Sequence, residues 1–329
     1  MKPILKLYRG YANDQELIVM GHIFRPTTKE DYDFQKKNFK NAKSVIRMFR
    51  IKTQKNASIY LEHQGMKIHT KSLDDGYFKF CIPLSKDLAY GWNEYKVSTY
   101  HNSKEISSKG SYIRPHEGNW GFISDIDDTF LVSHTRNPFK KLYILLFRNV
   151  NDRKIFEDVV PHYQALSSAG RNSDTEKNAF FYVSSSEWNL YRFITQFTEL
   201  HGLPKAVLLL KDIKTSLTDF FLTGRGNHDH KFEKIKHILE FYPHLKYVLL
   251  GDDSQQDPFL YEDICKIFPV TVKAVYIRQT GKNKKSKAIE AMANMESMGV
   301  DTCYFRNSKE AIEHSERIGI TSQDFHEKL

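Results

Sequence analysis

The stretch Ile123-Ser-Asp-Ile-Asp-Asp-Thr129 sets three carboxylates, Asp125, Asp127 and Asp128, directly behind an apolar run. Like charges this close each raise the cost of ionising the next, so such a cluster calls for a cation or a catalytic task. Three other apolar runs end in a functional group: "FFYVS" at Ser184, "AVLLLK" at Lys211 and "VLLGD" at Asp252. In open parallel sheets ligands sit outside the carboxyl ends of the strands. Two acids, a hydroxyl and a lysine would therefore converge on one crevice, which is the composition of a magnesium-dependent phosphoryl-transfer site. The competing reading of Asp127 and Asp128 is a turn cap; a D-x-D pair closing a buried strand weighs toward chemistry.

The elements that must position these groups follow from hydrophobic pattern. "WGFIS", "AFFYVS", "AVLLLK", "KYVLLG" and "TVKAVYI" are nearly continuous in hydrophobicity, as strands buried on both faces are, and the segments between them are long enough for crossover helices. The fold class is therefore α/β, a Rossmann-type parallel sheet with flanking helices. Residues 229–242 are the clearest helix, with Phe232, Ile235, Ile238, Leu239 and Tyr242 on one face and Pro243 closing it. Before residue 115 the pattern changes to short alternating segments, "ELIVMGHIF", "ASIYLE", "MKIHTKS", "GYFKFCI" and "EYKVSTY", separated by Gln64-Gly65, Asp75-Gly76 and Gly91. This predicts a small antiparallel β-sandwich over 1–114, with a helix over residues 32–49, ahead of a catalytic domain over 115–329. "LDDGYFKF" is similar to transthyretin-like and immunoglobulin-like modules over a single hairpin.

Composition narrows the partners. A chain of 329 residues with 40% hydrophobic and 27% charged residues is ordinary for a globular protein. Its net charge of +9 suits an anionic partner, whether nucleic acid, a phosphorylated small molecule or a membrane face. The three cysteines, Cys81, Cys265 and Cys303, fit no metal spacing and read as reduced thiols. No signal-peptide h-region opens the sequence, and "LYILLF" is too short to span a bilayer. The expected setting is cytoplasmic, with peripheral membrane contact as an extension.

On these motifs the sequence resembles the haloacid dehalogenase (HAD) superfamily of phosphatases. Asp125-Ile-Asp127-Asp128-Thr129 reads D-x-D-x-T, its first motif; Ser184 matches the second, Lys231 the third, and Gly251-Asp252 with Asp257 the fourth. Over roughly residues 115–320, "GFISDIDDT", "YVSSSEWNLY", "HKFEKI", "YVLLGDDSQQDPFLY" and "VKAVYIR" are similar to the catalytic-domain family of the fungal actin-patch phosphatidate phosphatase and its bacterial relatives. Relatives read Ser-Asn-Ser-Pro-Trp and Gly-Asp-Ser where this chain has Ser184-Ser185-Ser186-Glu187-Trp188 and Gly251-Asp252-Asp253. The resemblance implies Asp125 as nucleophile and Asp127 as general acid and base. It implies Mg²⁺ held by Asp125, Asp252 and the backbone carbonyl of Asp127, with Asp257 or Asp253 on a metal-bound water. Ser184 and Lys231 would bind the phosphoryl oxygens. Thr129 joins them or merely braces the loop. Lys211 and then Lys234 are the rivals to Lys231, which is preferred because it opens a helix whose amides attract anions.

Other features rank lower. His228-Asp229-His230 lacks a third ligand at metal spacing and reads as a helix start. The basic run "GKNKKSK", residues 281–287, reads as a solvated loop on which an anionic surface could dock. Residues 137–149, "NPFKKLYILLFRN", fall in a small cap segment around 133–177 and are either cap core or an interfacial contact. The expected function is Mg²⁺-dependent phosphomonoester hydrolysis through an aspartyl-phosphate, on phosphatidate or a related lipid phosphate. The alternatives are a soluble or nucleic-acid phosphomonoester, the nucleic acid being less favoured, and an inactive phosphate- or lipid-binding module. Oligomeric state is not written in these residues.

Overall fold

The computed structural model describes residues 2–25, 52–84, 88–118, 120–126, 129, 156, 158–173, 175–211 and 227–322, with the backbone alone at 66, 187, 189 and 227–229. The sequence readings at Asp127, Asp128, residues 32–49 and residues 137–149 lie outside the described residues, as does the cap segment between 133 and 155. The chain divides into two compact units, with the boundary between Pro115 and His116.

The first unit holds β1 (Ile4–Ala12), β2 (Glu16–Phe24), β3 (Ser58–His63), β4 (Met66–Lys71), β5 (Tyr77–Pro83), β6 (Gly91–His101) and β7 (Lys104–Arg114). They form one seven-stranded sheet in the order β4-β3-β6-β7-β1-β2-β5. This departs from the antiparallel sandwich expected from sequence: the sheet is continuous, β1 and β7 pair in parallel, and the edge strands β4 and β5 come into contact as in a near-barrel. The reason lies in the two strands that pattern alone passes over. Lys6 and Arg9 interrupt the apolar run of β1, and Arg9 is nonetheless buried against the Trp92 ring; β7 is polar along its first half. Together they bridge what would otherwise be separate sheets. Strict alternation still builds the core: in β5, Phe78, Phe80 and Ile82 are buried while Lys79 and Cys81 are exposed, and the buried set packs with Leu17, Val19, Ile59, Leu61 and Val97. Gln64 and Gly65, at φ 49° and 79°, make the tight turn that joins β3 to β4.

The second unit is α/β. Its strands are β8 (Trp120–Ser124), β9 (Ala179–Glu187), β10 (Val207–Lys211), β11 (Lys246–Asp252), β12 (Val272–Arg278) and β13 (Asp301–Phe305). They are parallel throughout, in the order β10-β9-β8-β11-β12-β13. The helices are α1 (Val159–Ser168), α2 (Tyr191–Leu200), α3 (Asn227–Phe241), α4 (Asp257–Ile267), α5 (Ser286–Ser297) and α6 (Ser308–Arg317). Six buried residues in succession along β11 show why its sequence reads as a continuous apolar run. In α3, Ile235, Ile238 and Leu239 are buried on one face, the stripe expected from their spacing. No helix among the described residues is long and apolar enough to cross a membrane.

The strand order places the functional crevice. From β8 the chain winds outward through β9 and β10; it then returns to β11 on the other side of β8 and winds the opposite way. Between β8 and β11 the two directions diverge, and it is at the carboxyl ends of such a strand pair that open α/β sheets form their ligand-binding cleft.

Candidate functional site

Asp125 extends β8 into that cleft, its N–H donating to the Leu250 carbonyl of β11 at 2.8 Å. Asp252 closes β11, and Asp257 stands in the first turn of α4. Carboxylate oxygens of Asp125, Asp252 and Asp257 lie within 4.8 Å of one another, and all three residues are buried. Lys231, near the start of α3, reaches them from the far side of the chain: its Nζ is 2.9 Å from Asp125 Oδ1 and 2.9 Å from Asp257 Oδ1.

The charges explain one another. Burial works against the Lys231 ammonium, but the adjoining Asp125 and Asp257 carboxylates together outweigh it and hold its pKa above the ordinary lysine value. Asp252 goes the other way: burial first, and the Asp257 charge second, push its carboxyl up to about 7, against hydrogen bonds from Ser254. A carboxylate so reluctant to ionise is one that a divalent cation would relieve. Octahedral Mg²⁺ sets neighbouring oxygens about 2.9 Å apart and opposite ones about 4.2 Å apart. The three oxygens thus stand close enough to share one such ion once they draw in toward it.

Around this centre a second set of contacts fixes the loops. Thr129 Oγ1 donates to Asp252 Oδ2 at 3.5 Å, and its carbonyl accepts from Arg278 Nε at 2.8 Å. The Arg278 guanidinium is fully buried between the Phe156 and Phe305 rings, 4.2 and 4.7 Å from their centroids, and also donates to Ser308 Oγ at 2.9 Å. Burial lowers its pKa to about 10. On the other flank, Tyr163 of α1 and Ser124 share a 2.7 Å hydrogen bond, and Ser124 Oγ donates to the Asp125 carbonyl at 2.6 Å. Neither Arg278 nor Tyr163 is apparent in the sequence reading: Tyr163 stands inside an apolar pattern that a core residue would equally satisfy, and Arg278 ends a strand, where an arginine reads as solvent-facing.

The remaining sequence candidates separate cleanly. Asp257, and not Asp253, joins the carboxylate group. Asp253 instead accepts from the Thr280 N–H at 3.0 Å and from Tyr304 Oη at 2.6 Å, and pairs with Lys285 at 3.5 Å. Burial alone would raise its pKa, but the hydrogen bonds from Thr280 and Tyr304 prevail and hold it below the ordinary range. Ser184 lies inside β9, fully buried, its Oγ accepting from the Ser186 N–H at 3.0 Å. The register Ser124↔Tyr182 carries it to the level of Ile126. Lys211 ends β10, two strands from β8, and Lys234 Nζ donates to the Leu210 carbonyl. Among the described residues, the basic partner of Asp125 and Asp257 is Lys231.

Fold and cleft thus define a doubly wound α/β unit with a buried lysine–carboxylate site at its topological switch point. Residues 120–279, from β8 through the end of β12, match the family model described as the catalytic domain of the phosphatidate phosphatase APP1. The curated phosphatidate phosphatase APP1 of Saccharomyces cerevisiae is 26% identical over 168 residues, 51% of this chain and 27% of that protein. The chain thus spans about a quarter of its relative's length. The catalytic-domain resemblance read from the motifs is borne out by both. Among solved structures, a carbohydrate acetylesterase from Xanthomonas citri overlays at a TM-score of 0.33 and 10% identity, covering 97% of this chain and 75% of its own. A β-glucuronidase from Parabacteroides merdae gives 0.28 and 8%, covering 90% and 38%. Overlaps this slight carry no weight for fold or function.

Proposed function

We propose that the chain is a HAD-type phosphatase that hydrolyses phosphomonoesters, with phosphatidate or a related lipid phosphate as the substrate class. The observation that carries this reading is Lys231 bridging Asp125 and Asp257 beside Asp252, inside the stretch that matches a phosphatidate phosphatase catalytic domain.

Asp125 is the nucleophile. Its carboxylate oxygen bonds to phosphorus as the bond from phosphorus to the lipid oxygen breaks, leaving an acyl phosphate on Asp125. Asp127 donates a proton to the departing alkoxide and then takes one from the water that cleaves the acyl phosphate, roles worth about 10²- to 10⁴-fold in rate. Lys231 and Ser184 orient the phosphoryl oxygens, and Thr129 holds Asp252 in place. Asp125, Asp252, Asp257 and the Asp127 carbonyl would hold Mg²⁺, which supplies charge neutralisation for the phosphoryl group. Because the substrate is a lipid, the chain works at an anionic membrane surface from a cytoplasmic setting.

Phosphate release from an aryl phosphate, dispersed phosphatidate and a 5′-phosphorylated oligonucleotide tests the proposal. Turnover is expected to be greatest on phosphatidate and to be abolished by Asp125→Asn and by chelator. Greater turnover on the oligonucleotide would replace the lipid with a nucleic-acid substrate, and no release from any of the three would reduce the site to a binding module.

A further inference from the structure

We propose that residues 279–287, the loop leaving β12 and the first turn of α5, form the face by which the chain lies on an anionic bilayer. Lys282, Lys284, Lys285 and Lys287 fall within six residues, and all but Lys285 are exposed. The loop contains no acid. The carboxylate facing it, Asp253, is fully buried and paired with Lys285, and Lys284 lies over the Tyr304 ring, 4.9 Å from its centroid; against exposed Glu290 on the next turn, Lys282, Lys284 and Lys287 leave a surplus of positive charge. On the next turn Ile289 is 49% exposed, an aliphatic side chain beside a cationic rim, which is the pairing an interfacial contact uses.

Two observations raise this above an ordinary solvated loop. The first is place: β12 ends in register with Asp252, and Lys285 is tied to the residue that follows Asp252, so the lysines stand at the same sheet edge as the carboxylate group. The second is shape. Gln279 N–H donates to the Phe305 carbonyl at 2.7 Å, Gln279 Nε2 donates to the Gly281 and Lys282 carbonyls at 2.9 and 3.0 Å, and the Lys285 N–H donates to Tyr304 Oη at 3.0 Å. The backbone is thus held in an arch on which Lys282, Lys284 and Lys287 are exposed while Lys285 turns in to Asp253. A lipid phosphate entering the cleft would come from a surface whose charge these lysines match.

The docking proposal rests on the lipid-phosphate reading for its biological partner, but binding and turnover are measured apart. Co-sedimentation of the full chain with phosphatidylcholine vesicles, with and without phosphatidylserine, uses a surface free of phosphatidate. The chain is expected to pellet with the anionic vesicles and not with the neutral ones, and to be released by salt. The Lys282→Glu, Lys284→Glu, Lys287→Glu variant is expected to lose about 100-fold in partitioning. Lys55→Glu, Lys79→Glu and Lys104→Glu together, the same change of net charge at exposed positions of the first unit, should keep it. Equal loss in both variants, no loss in the first, or pelleting on neutral vesicles would overturn the proposal. So would loss of oligonucleotide binding with vesicle binding intact. If melting shows the Glu variant to be unfolded, the Gln triple at the same positions takes its place. Asp125→Asn is expected to pellet like the parent chain, so a failure of catalysis leaves the docking result readable.

Discussion

At the scale of single residues, Asp252 makes the clearest demand on experiment. Its carboxyl is pushed up to about 7, first by burial and then by Asp257. The folded, metal-free chain therefore keeps a proton that the unfolded chain has lost by about pH 4. A group raised in this way contributes its full stability below the unfolded value, and that contribution is lost as pH rises through about 7. A divalent cation needs the carboxylate ionised, so it must displace that proton below pH 7 and need not above it. In scanning calorimetry, added Mg²⁺ is expected to raise the melting temperature more at about pH 8 than at about pH 5, relative to chelator. A shift independent of pH would remove Asp252 from the ligand set. Asp125 and Asp252 were legible because carboxylates closing apolar runs have few structural reasons to be there, whereas Asp257 and Lys231 close no such run and came only from the resemblance of their motifs. Arg278 was not legible, because a strand-ending arginine reads as solvent-facing until three-dimensional contacts bury it between Phe156 and Phe305. The choice between Asp253 and Asp257 was equally hidden, since two acids four residues apart differ only in the direction each side chain takes.

At the scale of elements, the site depends on how closely α4 approaches β11. A Cβ added to Gly251 would stand 2.8 Å from Asp257 Oδ2, 2.8 Å from Tyr261 Cε2 and 2.9 Å from Asp257 Cβ. Tyr261 cannot give way easily: it is buried, and its hydroxyl donates to the Leu250 carbonyl at 2.9 Å. Gly251→Ala must then push the first turn of α4 off the strand, at a cost of about 1–3 kcal/mol. Asp257 moves with that turn, away from Lys231 and Asp252. The variant is expected to melt lower, to need more Mg²⁺ for half-maximal phosphate release, and to lose about tenfold or more in rate, since small misplacements at a reacting centre are costly. A variant that melts lower but keeps its Mg²⁺ requirement would separate Asp257 from the metal. The buried strands were readable as elements because burial on both faces leaves long apolar runs. By contrast, β13 begins with exposed Asp301, and Thr302, Cys303 and Tyr304 are only half-buried at the sheet edge, so "DTCYF" carries no such run. The same reason hid β1 and β7, and with them the continuity of the first sheet.

At the scale of the molecule, the question is which unit the chemistry requires. Every described member of the carboxylate group, together with Lys231, Thr129 and Arg278, belongs to the unit that begins at His116. Among the described residues its six strands form a sheet of their own, in which β8, β10, β11 and β12 are buried along nearly their whole length. A chain of that length has enough interior to fold as an independent domain. The match to the phosphatidate phosphatase catalytic domain also begins inside this unit, at residue 120. A fragment comprising residues 116–329 is therefore expected to melt cooperatively and to release phosphate from a soluble aryl phosphate within about tenfold of the full chain. Circular dichroism melting and phosphate release under identical Mg²⁺ measure both. A fragment that folds yet turns over nothing would mean that the first unit supplies a group to the cleft, and the lysine–carboxylate site would then be only part of the machinery.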